Sequence, residues 1–111
     1  MGKRILVIED QEDNRRILRD LLTSVGYEII EAVTGEEGVA LAETGRPDLI
    51  LMDIQLPGID GYEATRRVRT HPALRQVPII AVTSYALSGD DVKAMEAGCD
   101  AYVTKPFSHR E

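Results

Sequence analysis

The stretch Asp48-Leu49-Ile50-Leu51-Met52-Asp53-Ile54-Gln55-Leu56-Pro57-Gly58 decides the fold. Four consecutive apolar residues end on an acidic one, and a proline and a glycine close the segment. A short apolar run without alternation is what a parallel strand covered on both faces requires. The same pattern recurs at Ile5-Leu6-Val7-Ile8, Ile79-Ile80-Ala81-Val82 and Ala101-Tyr102-Val103, with a weaker run from Glu28 to Ala32.

Amphipathic stretches lie between these runs. Ile17, Leu18, Leu21, Leu22 and Val25 repeat at helical spacing, with Arg15, Arg16, Arg19 and Asp20 around them. Val39, Leu41 and Ala42 mark a second helix, Tyr62, Ala64, Thr65 and Val68 a third, and Val92, Ala94, Met95 and Ala97 a fourth. Thr34-Gly35-Glu36-Glu37 reads as a capping box and Asp60-Gly61-Tyr62-Glu63 as an N-cap. Gly26, Gly45 and Gly98 stand where helix C-caps belong, and Pro47 and Pro78 just before strands. Strict β-α alternation predicts an α/β fold with right-handed crossovers and helices on both faces. Five such strands favour the flavodoxin-like, doubly wound parallel order 2-1-3-4-5, with ligands bound beyond the carboxyl ends near strands 1 and 3.

The 111 residues suit one domain, spanning 1–111. With 43% hydrophobic and 29% charged residues, the chain has the means for a core and a solvated shell. A formal net charge of -6 argues against direct binding to nucleic acid or anionic lipid. The single cysteine, Cys99, excludes an internal disulfide and reads as a small buried apolar residue. No apolar run reaches the roughly 18 residues of a membrane span, and the run behind Met1-Gly2-Lys3-Arg4 is too short for a signal peptide. A cytoplasmic location is the expectation.

Just past the strands stand Glu9-Asp10, Asp53, Thr83-Ser84 and Lys105-Pro106. The expected topology brings all four ends to one edge. Two like charges ~5 Å apart repel by about 3 kcal/mol at an effective dielectric of 20. Such carboxylates protonate, pair with Lys105 or bind a cation, and hard oxygen ligands with positions left for water and phosphate suit Mg²⁺. Taken singly, an Asp after a strand is a turn residue and a Lys a solvated charge. Four suitable residues at four strand ends make the joint reading the stronger one.

These residues carry a resemblance. Ile5 to Asp10, Asp48 to Gly61, Ile79 to Thr83 and Ala97 to Pro106 are similar, in order, to the CheY-like receiver domain of two-component response regulators. The resemblance implies that Asp53 accepts a phosphoryl group from the phosphohistidine of a histidine kinase or phosphotransfer protein. It implies that Asp10 and Asp53 bind Mg²⁺ directly, Glu9 through water, and Gln55 through its backbone carbonyl. It implies that Thr83 and Lys105 hold the phosphoryl oxygens, that the Lys105-Pro106 peptide is cis, and that Thr83 and Tyr102 form the switch. Thr83 would move inward and Tyr102 would turn from solvent toward the vacated space. A partner would then meet the face of the fourth helix, fifth strand and fifth helix. Gln55 and Tyr85 hold positions that tune phosphoaspartate hydrolysis in the family, and a bulky Tyr85 suggests a slow loss. Such a receiver is a phosphoryl acceptor that assists its own chemistry rather than an enzyme.

The loops are similar to those of stand-alone cell-cycle receivers and hybrid-kinase receivers. Ser108-His109-Arg110-Glu111 reads as the capping box of a fifth helix that the chain does not continue. Truncation or an omitted tail accounts for that best, with dimerisation over the bare face as a third account. An N-terminal or excised receiver of a larger regulator or hybrid kinase is the alternative, as is a binding-only receiver. His71 precedes a proline and His109 is near the terminus, so neither suits a phosphotransfer histidine. A flavodoxin would need a Ser/Thr/Gly-rich loop where Glu9-Asp10-Gln11-Glu12-Asp13 stands. A haloacid-dehalogenase-type phosphatase would need an acid where Gln55 stands.

Overall fold

The computed structural model describes residues 2–83 and 89–104. Five strands, β1 (Arg4–Ile8), β2 (Glu28–Ala32), β3 (Leu49–Asp53), β4 (Ile79–Thr83) and β5 (Ala101–Thr104), alternate with four helices. These are α1 (Glu12–Ser24), α2 (Gly35–Gly45), α3 (Gly61–Arg69) and α4 (Asp90–Ala97), with a 3-10 turn at Pro72–Leu74. The strands pair in parallel in the order β2-β1-β3-β4-β5, as the alternation predicts.

The apolar runs form the middle of the core. Leu6, Ile8, Ile50, Met52 and Ile79 are almost fully buried, and Ala64 and Val68 of α3 join them. Gly38 sets the approach of α2, because a methyl group there would collide with the Ile8 side chain. The helix starts behave as the sequence indicates. Thr34 accepts the Glu37 amide at 3.0 Å while Glu37 accepts the Val33 amide at 2.9 Å. Asp60 likewise accepts the Glu63 amide at 2.9 Å.

One expectation needs correction, and two helices show how far their apolar faces are covered. Gly45 is the last residue of α2, and the left-handed position falls on Arg46 (φ 48°). Pro47 keeps Arg46 out of the right-handed helix. Gly45 instead gives clearance to Ile30, whose side chain a Cβ would meet at 2.9 Å. Within α1 no residue is fully buried, and Leu21 and Val25 of the apolar stripe are exposed. In α4 it is Ala94 and Ala97 that face inward, while Val92 and Met95 face solvent. An eight-residue helix seated this closely buries its small side chains.

One arginine ties the amino-terminal side of the sheet together. Arg69, at the end of α3, donates to the carbonyls of Gly98, Leu74, Arg75 and Val77 and to the Asp100 carboxylate. Asp100 also accepts the Ile79 amide at 2.9 Å, and its own amide returns to the Ile79 carbonyl at 2.8 Å. A groove lined by Lys3, Ile5, Leu22, Tyr27, Asp48 and Leu49 opens at the same end, away from the acidic strand tips.

Candidate functional site

β1 and β3 are adjacent, with Ile8 in register with Met52, so the residues that follow them emerge side by side. Glu9, Asp10 and Asp53 each bring a carboxylate oxygen to within 4.8 Å of the other two. Glu9 and Asp53 are 2% and 3% exposed, so two of the three carboxylates are buried and Asp10 forms the half-open side. Burial strengthens their mutual repulsion. The donor set, three hard oxygens with one side open to solvent, fits a small divalent cation.

Local hydrogen bonds fix the acidic tips. The Gln11 amide donates to Glu9 Oε2 at 3.0 Å, and the Gln55 amide donates to Asp53 Oδ1 at 3.1 Å. Each carboxylate thus folds the chain after its strand into a side-chain turn. The Glu9 amide donates to the Ala32 carbonyl at 3.0 Å, and the Ile54 amide to the Val82 carbonyl at 3.0 Å, which extends the sheet one residue past the regular strands. Gly61 closes the loop after β3. Its amide donates to the Ile54 carbonyl at 2.9 Å, and a Cβ would fall on the Asp53 carbonyl oxygen.

Thr83 ends β4 with 1% exposure, next to Val82, which is in register with Asp53. Opposite Thr83 on β5 is Thr104. Tyr102 is half-buried and packed against the core, with its hydroxyl oxygen shielded from solvent. Gln55 is exposed beside the acceptor. The structure therefore gathers Glu9, Asp10, Asp53, Gln55 and Thr83 at one edge. Lys105, Pro106 and Tyr85 lie outside the described residues, as do the cis peptide and the fifth helix.

Arg15, one of the charged residues around the apolar stripe of α1, reaches the site. Its guanidinium donates to the Glu9 carbonyl at 2.9 Å and to the Glu31 carboxylate at 3.2 Å. Arg19 grips the same Glu31 through both oxygens, at 2.6 and 2.8 Å. The Arg19 hydrogen bond holds the Glu31 carboxyl below the usual carboxylate range, against the opposing effect of partial burial. A basic pair at positions 15 and 19 facing an acid at 31 was the only trace of this in the sequence.

Comparison with known proteins supports the same reading. The family model described as the response regulator receiver domain matches residues 5–111. The polar-differentiation response regulator DivK of Brucella anthropi is 45% identical over 108 residues, 97% of this chain and 88% of that protein. Among solved structures, the receiver domain of a sensor histidine kinase from Pseudomonas aeruginosa PAO1 superposes with a TM-score of 0.89 at 42% identity, covering 97% of this chain and 88% of that one. That structure has a magnesium ion coordinated in its active-site cleft. A phosphorylated cyanobacterial phytochrome response regulator, RcpA, superposes with a TM-score of 0.86 at 25% identity, covering 97% and 84%. With its sheet order, its acidic strand tips and these matches in agreement, the chain belongs to the response regulator receiver domain family.

Proposed function

We propose that this receiver is a phosphorylation switch whose acceptor is Asp53. The observation that carries the reading is the meeting of Glu9, Asp10 and Asp53 oxygens within 4.8 Å at the β1 and β3 tips. A phosphohistidine of a histidine kinase or phosphotransfer protein approaches this edge. The phosphorus–nitrogen bond breaks as an Asp53 carboxylate oxygen bonds to phosphorus, and the histidine departs with the electron pair.

Asp10 and Asp53 would hold Mg²⁺ directly, Glu9 through water and Gln55 through its backbone carbonyl. The chemistry such an ion would supply when bound is an offset of charge on the phosphoryl oxygens. Thr83 and Lys105 bind those oxygens afterwards. The added charge then shifts Thr83 and Tyr102, and with them the α4–β5 surface, which a protein partner reads. The receiver turns over no substrate of its own, and Tyr85 and Gln55 set how long the phosphoaspartate lasts. Among the described residues no helix is long and apolar enough to cross a membrane. A cytoplasmic location goes with the proposed exchange with a histidine kinase.

The test uses acetyl phosphate as donor and intact mass as readout. With Mg²⁺ the wild type gains one phosphoryl group, and a chelator or Asp53→Asn abolishes the gain. Asp10→Asn lowers incorporation by roughly tenfold or more, as loss of a metal ligand should. Incorporation that survives in Asp53→Asn, or that is indifferent to Mg²⁺, would refute the proposal.

A further inference from the structure

We infer that Arg15 is a positioning residue for the metal-binding turn, acting through the peptide that joins Glu9 to Asp10. The inference rests on the metal reading of the Glu9, Asp10 and Asp53 cluster. The Glu9 carbonyl and the Asp10 amide belong to one rigid plane, so whatever fixes the carbonyl fixes where the Asp10 side chain starts. Arg15 Nη1 donates to that carbonyl at 2.9 Å. On the other side of Glu9, its own amide donates to the Ala32 carbonyl at 3.0 Å. The residue is thus pinned at both backbone groups, once by β2 and once by the guanidinium.

The guanidinium is itself held. Its side chain is 13% exposed, and Nε donates to Glu31 Oε1 at 3.2 Å while Nη2 pairs with Glu12. Arg19 grips the far side of Glu31. Arg15 and Arg19 facing Glu12 and Glu31 leave this group of four close to electrically neutral, so its contribution to the neighbouring site is orientation rather than charge. The guanidinium reaches Glu31, the Glu9 carbonyl and Glu12 from three different nitrogens held in one plane, a span that the single nitrogen of an ammonium does not cover.

The experiment is a Mn²⁺ titration followed by electron paramagnetic resonance, with Mg²⁺ as competitor, on the wild type and the variants Arg15→Gln, Arg15→Lys, Arg19→Gln and Asp10→Asn. Each is measured well below its thermal midpoint. Arg15→Gln weakens binding roughly tenfold, within the range for groups that orient a metal ligand. Arg19→Gln, which leaves the Glu9 carbonyl contact intact, stays within about twofold, because Arg19 bonds Glu31 and not the backbone of the metal-binding turn. In the metal-free protein the Asp10 amide ¹⁵N resonance moves in Arg15→Gln and stays in place in Arg19→Gln. Should Arg15→Gln fail to fold, Arg15→Lys carries the test, with weakened binding expected and wild-type affinity counting against the fork. Equal losses in the Arg15→Gln and Arg19→Gln variants, or wild-type affinity in Arg15→Gln, overturn the inference while leaving the metal site standing. Wild-type affinity in Asp10→Asn overturns the metal reading and this inference together.

Discussion

Gly61 shows how tightly the acceptor is framed at the scale of one residue. Its hydrogen faces the Asp53 carbonyl oxygen, where a methyl group has no room. That carbonyl belongs to a strand end locked in register with β4, so the backbone cannot yield cheaply. Gly61→Ala is expected to destabilise the domain by about 1–3 kcal/mol in chemical denaturation, in the range for overpacking. It should also reduce phosphoryl incorporation, because the strain falls on the acceptor itself. The sequence showed Gly61 as the residue after an N-cap, which it is, but a packing distance between two segments leaves no mark in either one. Asp10 and Asp53 were legible for the opposite reason: strand order alone brings their strand ends together.

At the scale of elements, the link between α1 and β2 runs through Glu31. Its carboxyl titrates below its ordinary value in the folded protein because Arg19, then Arg15, bonds the charged form. A depressed carboxyl stabilises the fold at pH values above its unfolded pKa and loses that contribution as pH falls through the folded value. Thermal midpoints of wild type and Glu31→Gln should therefore differ at neutral pH and converge as the pH drops below the carboxylate range. A gap that persists unchanged into strong acid would show that the side chain acts by packing. The strands were readable from the sequence, β2 least clearly. It sits at the sheet edge, and Glu28 and Glu31 interrupt its apolar run. The inward faces of α1 and α4 were less legible, since periodicity identifies an apolar face but not the depth to which neighbours cover it. Leu21, Val25, Val92 and Met95 are the residues where that distinction shows.

For the whole molecule, stability rests on the apolar strands that also aim the site. Leu6 lies at 0% exposure in β1, two residues before the last of the strand. Leu6→Ala is expected to cost about 2–5 kcal/mol, measured by urea denaturation, as for other buried leucines. A loss under ~1 kcal/mol would mean that the sheet collapses around the gap. The core was foreseeable because burial on both faces of a parallel sheet forces unbroken apolar runs.

The Arg69 cluster has a consequence for how the molecule opens. Its fork reaches the α4–β5 turn and the segment leading into β4, while Ile79 and Asp100 exchange reciprocal bonds beneath it. The first set shares one donor, the Arg69 guanidinium, and Asp100 Oδ2 accepts from both Arg69 and the Ile79 amide, so displacing that side chain loosens them together. The foot of α4 is therefore a cooperative unit of local unfolding, joined to the end of α3 and the start of β4. The Ile79 and Asp100 amides, bonded to the Asp100 carboxylate and the Ile79 carbonyl, are expected to exchange with solvent at one shared rate, which Arg69→Gln would raise for both.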